Sequence, residues 1–76
     1  MGHSTGILPK GVSRYRMLSR EKFPFDRAFT HIRDAEAHAD RKRDRGYKAR
    51  VIHIGGGKGK YSGGIFYKYA VYARRY

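Results

Sequence analysis

The chain has 76 residues, no cysteine, and 18 lysines and arginines against 6 aspartates and glutamates, which gives a formal charge of +12 at pH 7. This length allows one domain, and the composition excludes disulfides, thiolate metal sites and, because the apolar runs are short, a membrane span. The charge favours nucleic acid over an acidic membrane surface as the partner, and the lack of a secretory pattern in residues 1–10 predicts a cytoplasmic or nucleoid-associated protein.

The first part of the chain predicts an arm followed by one strand. Residues 1–11 hold three glycines and a proline without periodicity, so we expect a flexible N-terminal arm and a folded domain over residues 12–76. From Val12 to Leu18, basic side chains alternate with larger apolar ones, which is the period-two pattern of a half-buried strand. The segment 23–25, with a proline between two phenylalanines, is expected to end this strand.

The most regular pattern predicts a helix from Arg27 to Arg45. Asp26 is the expected N-cap, and apolar residues recur every three or four positions, with Phe29 and Ile32 as the bulkiest. Four basic residues occupy the last turns, where the helix dipole favours cations, and a glycine follows that suits the left-handed end of a helix.

Two further strands follow the helix, with a glycine-rich segment between them. Alternation from Tyr47 to Ile54 and from Ile65 to Arg74 predicts these strands. Residues 55–64 contain six glycines and are expected to form a flexible hairpin loop that carries Lys58 and Lys60.

The order β-α-β-β predicts an α+β fold, a two-layer sandwich. We expect a three-stranded sheet in the order 1-3-2, with the helix packed on one face. The alternation directs Tyr15, Met17, Ala49, Val51, Tyr69 and Val71 toward the helix. Because branched aliphatic residues are few, the core should depend on tyrosine rings and alanines, with help from a partner or a dimer interface.

The sheet face opposite the helix is expected to be open and to bind the partner. The region from Asp26 to Arg45 holds six basic and five acidic residues and nets +1, so +11 of the charge lies elsewhere. Basic side chains interleaved with aromatic rings suit single-stranded nucleic acid, with cations for phosphates and rings for bases. The predicted binding residues, on this face and in the loop, are Arg14, Arg16, Lys48, Arg50, Lys58, Lys60, Phe66, Lys68, Tyr72 and Arg74.

The residue pattern indicates binding rather than catalysis. His31 and His38 lack metal-ligand spacing, the helical carboxylates are interleaved with bases, and no serine lies in a nucleophile motif. We therefore expect no enzyme activity, metal, cofactor or small-molecule substrate. RNA or a single strand is favoured over duplex DNA.

Two alternatives remain open at this point. One is a structural or assembly component of a ribonucleoprotein or virion particle, whose basic surface neutralises RNA. The other is a homodimeric protein–protein adaptor that pairs through the open sheet face and has no nucleic-acid role.

Overall fold

The computed structural model describes residues 2–55 and 60–76, with the backbone alone at 61 and 62. The strands in this part of the chain are β1 (Ser4–Thr5), β2 (Tyr15–Leu18), β3 (Glu21–Phe29), β4 (Tyr47–His53), β5 (Lys60–Ser62), β6 (Ile65–Tyr67) and β7 (Tyr69–Arg75). Helix α1 (Ile32–Asp44) lies between β3 and β4. The main sheet is antiparallel and runs β1-β3-β7-β4, with β2 paired to β3, while β5 and β6 form a separate hairpin. The protein is thus a small α+β domain.

The sheet is larger than the three strands predicted in the order 1-3-2. It has five strands among the described residues, and the first long one is β3. The predicted first strand, Val12–Leu18, corresponds to β2, which pairs with β3 outside the main path. The last strand, β7, does lie in the middle, between β3 and β4. The predicted strand Ile65–Arg74 is divided, because its first residues pair with β5 instead.

β3 occupies residues 23–25, which were expected to end the first strand, and it also occupies the first residues of the predicted helix. Phe23, Phe25 and Phe29 all pack into the protein core from this strand. A bulge between Phe25 and Arg27 interrupts its pairing with β7, and such bulges bend a strand. Helix α1 therefore begins at Ile32, later than predicted, because burial of these rings in the sheet overrides local helix propensity.

Helix α1 packs on one face of the main sheet, which we call the helix face. Buried alanines dominate this contact, and the cluster consists of Phe29, Ala35, Ala39, Ala49, Val71 and Ala73. The predicted helix-facing residues of the two later strands, Val51 and Tyr69 among them, pack here. Tyr15 and Met17 do not, because β2 pairs only with β3 and carries them away from the helix.

The opposite face, the hairpin face, is covered by the β2–β3 hairpin. Phe23 and Tyr72 are buried there together with Ala70. The Tyr72 hydroxyl donates to the carbonyl of Ser13 at 2.6 Å, and its ring meets Phe25 edge-on with 5.9 Å between centroids. The expectation of an open face is wrong, since this face is too apolar to remain in water and β3 bends to cover it.

The remaining predictions concern the N-terminal arm and the glycine-rich loop. Residues of the expected arm dock on the sheet, where Ser4 pairs with Phe29 in β1 and Pro9 is buried. Within the predicted loop 55–64, a strand (β5) turns into β6 through Gly63 and Gly64, both with positive φ. Residues 56–59 of that loop lie outside the described residues.

Candidate functional site

Four of the predicted binding residues lie together at the hairpin face, and we call them the basic cluster: Arg16, Lys48, Arg50 and Arg74. Lys48 is opposite Arg74 in the pairing of β4 with β7, and Arg50 is opposite Tyr72. Arg16 reaches the same ring from β2, with 5.9 Å between its guanidinium carbon and the centroid. Three strands thus bring four cations to one surface.

Glu21 connects two members of the basic cluster. The Lys48 ammonium donates to both carboxylate oxygens of Glu21, at 2.8 and 3.0 Å, and Arg74 lies 3.3 Å from one of them. The hydrogen bond from Lys48, aided by the charges of Arg74 and Arg50, lowers the pKa of the Glu21 carboxyl, although partial desolvation opposes this shift. Four cations with one carboxylate leave a local excess of positive charge.

A cleft of about 390 Å³ opens beside the basic cluster. Its lining consists of Glu21, Phe23, Arg43, Lys48, Ala49, Arg50 and Tyr76. Tyr76 is 83% exposed, and the Lys48 ammonium lies 5.3 Å from the centroid of its ring. The cleft therefore combines cations with an accessible aromatic ring.

The tip of the β2–β3 hairpin adjoins the basic cluster. Ser19 and Arg20 link the two strands and have φ values of 51° and 66°, as the central residues of a type I′ turn require, although neither is glycine. Arg50 donates to the Ser19 hydroxyl at 3.3 Å, which ties the turn to β4. The turn therefore holds Arg20, a further exposed cation, beside Ser19, which Arg50 contacts.

Two other predicted binding residues, Tyr72 and Arg14, are not part of the basic cluster. Tyr72, predicted to stack on a base, is fully buried, and burial raises the pKa of its hydroxyl. It belongs to the core, because β2 and β3 cover the face that was expected to be open. Arg14 is exposed just before β2, and its carbonyl accepts a hydrogen bond from the amide of Phe25.

The last four predicted residues belong to the β5–β6 region or its surroundings. Phe66 is 48% exposed on β6, Lys68 is exposed between β6 and β7, and Lys60 is half-buried at the start of β5. Lys58 lies outside the described residues. Phe66 and Lys60 thus belong to the separate β5–β6 hairpin, whereas the basic cluster lies on the main sheet and on β2.

Sequence reasoning missed several residues of this surface. Glu21 was not assigned a role, and Tyr15 and Met17 were assigned to the core, yet they are 48% and 67% exposed. The sequence did contain a signal for these residues. Two stretches on either side of residues 19 and 20 can pair as one hairpin, in which Leu18 lies opposite Glu21.

Some cations of α1 pair with acids on β3 or on the helix itself. Asp26 pairs with His38 and lies 3.6 Å from the Lys42 ammonium, while Arg43 and Asp40 form an ion pair at 2.7 Å. Within residues 2–55 and 60–76, no group of three histidine, aspartate or glutamate side chains is placed to hold a metal ion. In the same ranges no helix has the length and apolar character to cross a bilayer.

No family model, curated protein or solved structure matches the chain. A functional assignment therefore depends on the geometry and charge of the surface itself.

Proposed function

We propose that the protein is a nucleic-acid-binding module that holds phosphate groups at the basic cluster and carries out no chemistry. The observation that supports this most strongly is that three strands bring Arg16, Lys48, Arg50 and Arg74 to the hairpin face, where Lys48, Arg50 and Arg74 act on one carboxylate, Glu21. Strands fix the positions of these cations better than a mobile loop would, so little entropy is lost when phosphates bind.

The distribution of charge supports nucleic acid over other partners. The helix region nets only +1 by composition, and two of its five acids, Asp26 and Asp40, pair with its own cations, whereas the basic cluster retains an excess. A phosphate backbone presents a row of negative charges, and each contact releases counterions to the solvent. A polyanion therefore gains most at the hairpin face.

The two alternatives fare differently. The homodimer was expected to pair through an open sheet face, but the β2–β3 hairpin occupies that face. A component of a ribonucleoprotein particle would use the same basic cluster, and its distinguishing property would be stability gained only inside the particle. We therefore retain the assembly role as the second candidate, in the cytoplasm or on the nucleoid.

The proposal is tested by fluorescence anisotropy with a labelled single-stranded RNA, a single-stranded DNA and a duplex over a series of salt concentrations. The double variant Lys48→Gln/Arg50→Gln removes two cations from the basic cluster. We expect weaker binding at low salt and a salt slope that is smaller by about 1.4, since each phosphate contact with a single strand contributes about 0.7.

The control is Arg33→Gln/Arg41→Gln, which removes the same charge from exposed positions of α1. We expect this variant to keep nearly the full salt slope. Equal losses in the two double variants would show that net charge alone drives binding, and the absence of binding at low salt would refute the proposed function.

A further inference from the structure

The outward side of the β2–β3 hairpin presents an exposed apolar pair among cations. Tyr15 and Met17 project from this side and are 48% and 67% exposed, whereas Leu18 and Phe23 on the inward side pack against the sheet. Met17 lies opposite Lys22 in the strand pairing, and the Lys22 ammonium lies 4.2 Å from the centroid of the Tyr15 ring. The three side chains form a continuous surface, which we call the outer patch.

We propose that the outer patch stacks unpaired nucleobases. This inference rests on the proposed function and deepens it, because it names single-stranded nucleic acid as the partner and places the base contacts apart from the phosphate contacts. Two other rings were first expected to stack on bases. Tyr72 is buried, and Phe66 lies on the β5–β6 hairpin.

The chemistry of the outer patch suits a base. A tyrosine ring offers a flat π surface, and a methionine thioether is flexible and polarizable, so it adapts to any aromatic partner. The Lys22 ammonium already occupies the Tyr15 ring by a cation–π contact. On binding, a base takes this position on the ring, and the ammonium moves to a neighbouring phosphate.

The position of the outer patch fits a strand that wraps around the hairpin. Arg16 points inward to the Tyr72 ring and the basic cluster, while its neighbours Tyr15 and Met17 point outward, because side chains alternate along a strand. If phosphates bind at the basic cluster, the bases that follow them can reach the outer patch on the other side of the same strand. Only an unpaired strand is flexible enough to follow both sides.

A protein partner fits the outer patch less well. A stable interface buries about 800 Å² on each side, and two apolar side chains supply a small part of that area. Lys22 contacts the pair, and Arg14 and Arg20 are further exposed cations close to it along the hairpin. A second copy of the chain would bring like charges together.

The test compares two single-stranded probes of about ten units, an oligothymidine and an abasic strand with the same phosphates. We expect the wild-type protein to bind oligothymidine roughly 5- to 150-fold more tightly than the abasic strand, from the stacking of one base. Tyr15→Ala should abolish this preference, and Tyr15→Phe should retain it. Ile7→Ala is the control, since Ile7 is 72% exposed but lies outside the hairpin.

A second readout uses the wild-type protein alone. The chain has two methionines, so labelling with [methyl-¹³C]methionine gives a Met17 methyl signal that Met17→Leu identifies. We expect a ring-current shift of this signal with oligothymidine and none with the abasic strand.

The outcomes separate the inference from the proposed function. Equal affinity for both probes, with an unmoved Met17 signal, would overturn the stacking site and leave phosphate binding intact. Failure to bind either probe would overturn both. A change in self-association on Tyr15→Ala, with no change in affinity for either probe, would identify the outer patch as a protein contact and also overturn the inference.

Discussion

The two faces of the central sheet are closed in different ways. On the helix face, α1 lies close to the sheet because the small residues Ala35, Ala39 and Ala49 form their contact, and Asp26 and Asp40 pair with cations of the helix. On the hairpin face, the large rings of Phe23 and Tyr72 fill the core. Cations surround this second core, with Glu21 as the acid that contacts them.

Under the proposed function, this difference assigns binding to one side of a small domain and a structural role to the other. On the helix side, Asp26 and Asp40 pair with nearby cations and the region nets +1 by composition, so we expect a weaker attraction for a polyanion there. The hairpin face places an aromatic core beneath cations that Glu21 compensates only in part, so we expect changes to that core to displace the basic cluster as well.

Loss of the Tyr72 ring should have the largest effect. Tyr72→Ala is expected to lower the free energy of unfolding by about 3–5 kcal/mol, because the ring is fully buried between the sheet and the hairpin. Tyr72→Phe should cost about 1 kcal/mol through the lost hydrogen bond to Ser13. Urea denaturation followed by circular dichroism measures both, and a loss no larger than that of the half-exposed Phe66→Ala would contradict this account of the hairpin face.

A larger side chain at the contact between α1 and the sheet should lower the stability of the fold. Ala39→Leu is expected to lower the free energy of unfolding by about 1–3 kcal/mol, since Ala39 is buried between α1 and the sheet with no room for three more carbon atoms. Ala37→Leu is the matched control, because Ala37 is exposed on the same helix. Equal stability of the two variants in urea denaturation would show that α1 does not approach the sheet closely.

The two hairpins make the same kind of turn with different residues. The β5–β6 turn uses Gly63 and Gly64, whereas the β2–β3 turn uses Ser19 and Arg20 at positive φ. Arg20→Gly should therefore be more stable than Arg20→Ala by about 1 kcal/mol in urea denaturation, because both remove the cation and only glycine relieves the backbone strain. Both variants should bind single-stranded nucleic acid equally weakly. A less stable Arg20→Gly would rule out strain at this turn.

Glu21→Gln should affect stability and binding in opposite directions. Because Lys48 lowers the pKa of Glu21 in the folded state, the ionised carboxylate stabilises the fold above its unfolded-state pKa, and this stabilisation is lost as the pH falls through the folded-state value. The wild type should therefore exceed Glu21→Gln in stability at pH 7 and lose that advantage in acid.

The same substitution should strengthen nucleic-acid binding, since it releases Lys48 and Arg74 from their ion pairs. Anisotropy titrations at low salt measure this effect. Weaker binding by Glu21→Gln would mean that Glu21 positions the cations rather than competing with the phosphates.

Much of the later part of the chain could be predicted from the sequence. The alternation from Tyr47 onward predicts β4 within one residue, and the aromatic character of the last strand predicts its central place in the sheet. The segment from Phe25 to Phe29 could not be assigned locally. Its apolar spacing fits a helix, and only pairing with β7, far along the chain, makes it a strand.

The candidate site could likewise be predicted only where local patterns determine it. Counting charges locates the excess outside the helix, and alternation places Lys48 and Arg50 on the correct face. The position of Glu21 beside Lys48, 27 residues away, depends on how the hairpin folds over the sheet. Charge alone cannot show this, since Glu21 is otherwise one acid in a basic segment.

The central claim is that single-stranded nucleic acid binds the hairpin face and leaves the helix face free. Chemical-shift mapping of the backbone amides with an oligothymidine is the most direct test. We expect shifts in the β2–β3 hairpin, around Lys48 and Arg50 and near Arg74, with exposed positions of α1 such as Ala37 unchanged. Shifts concentrated in α1, or none anywhere, would contradict it.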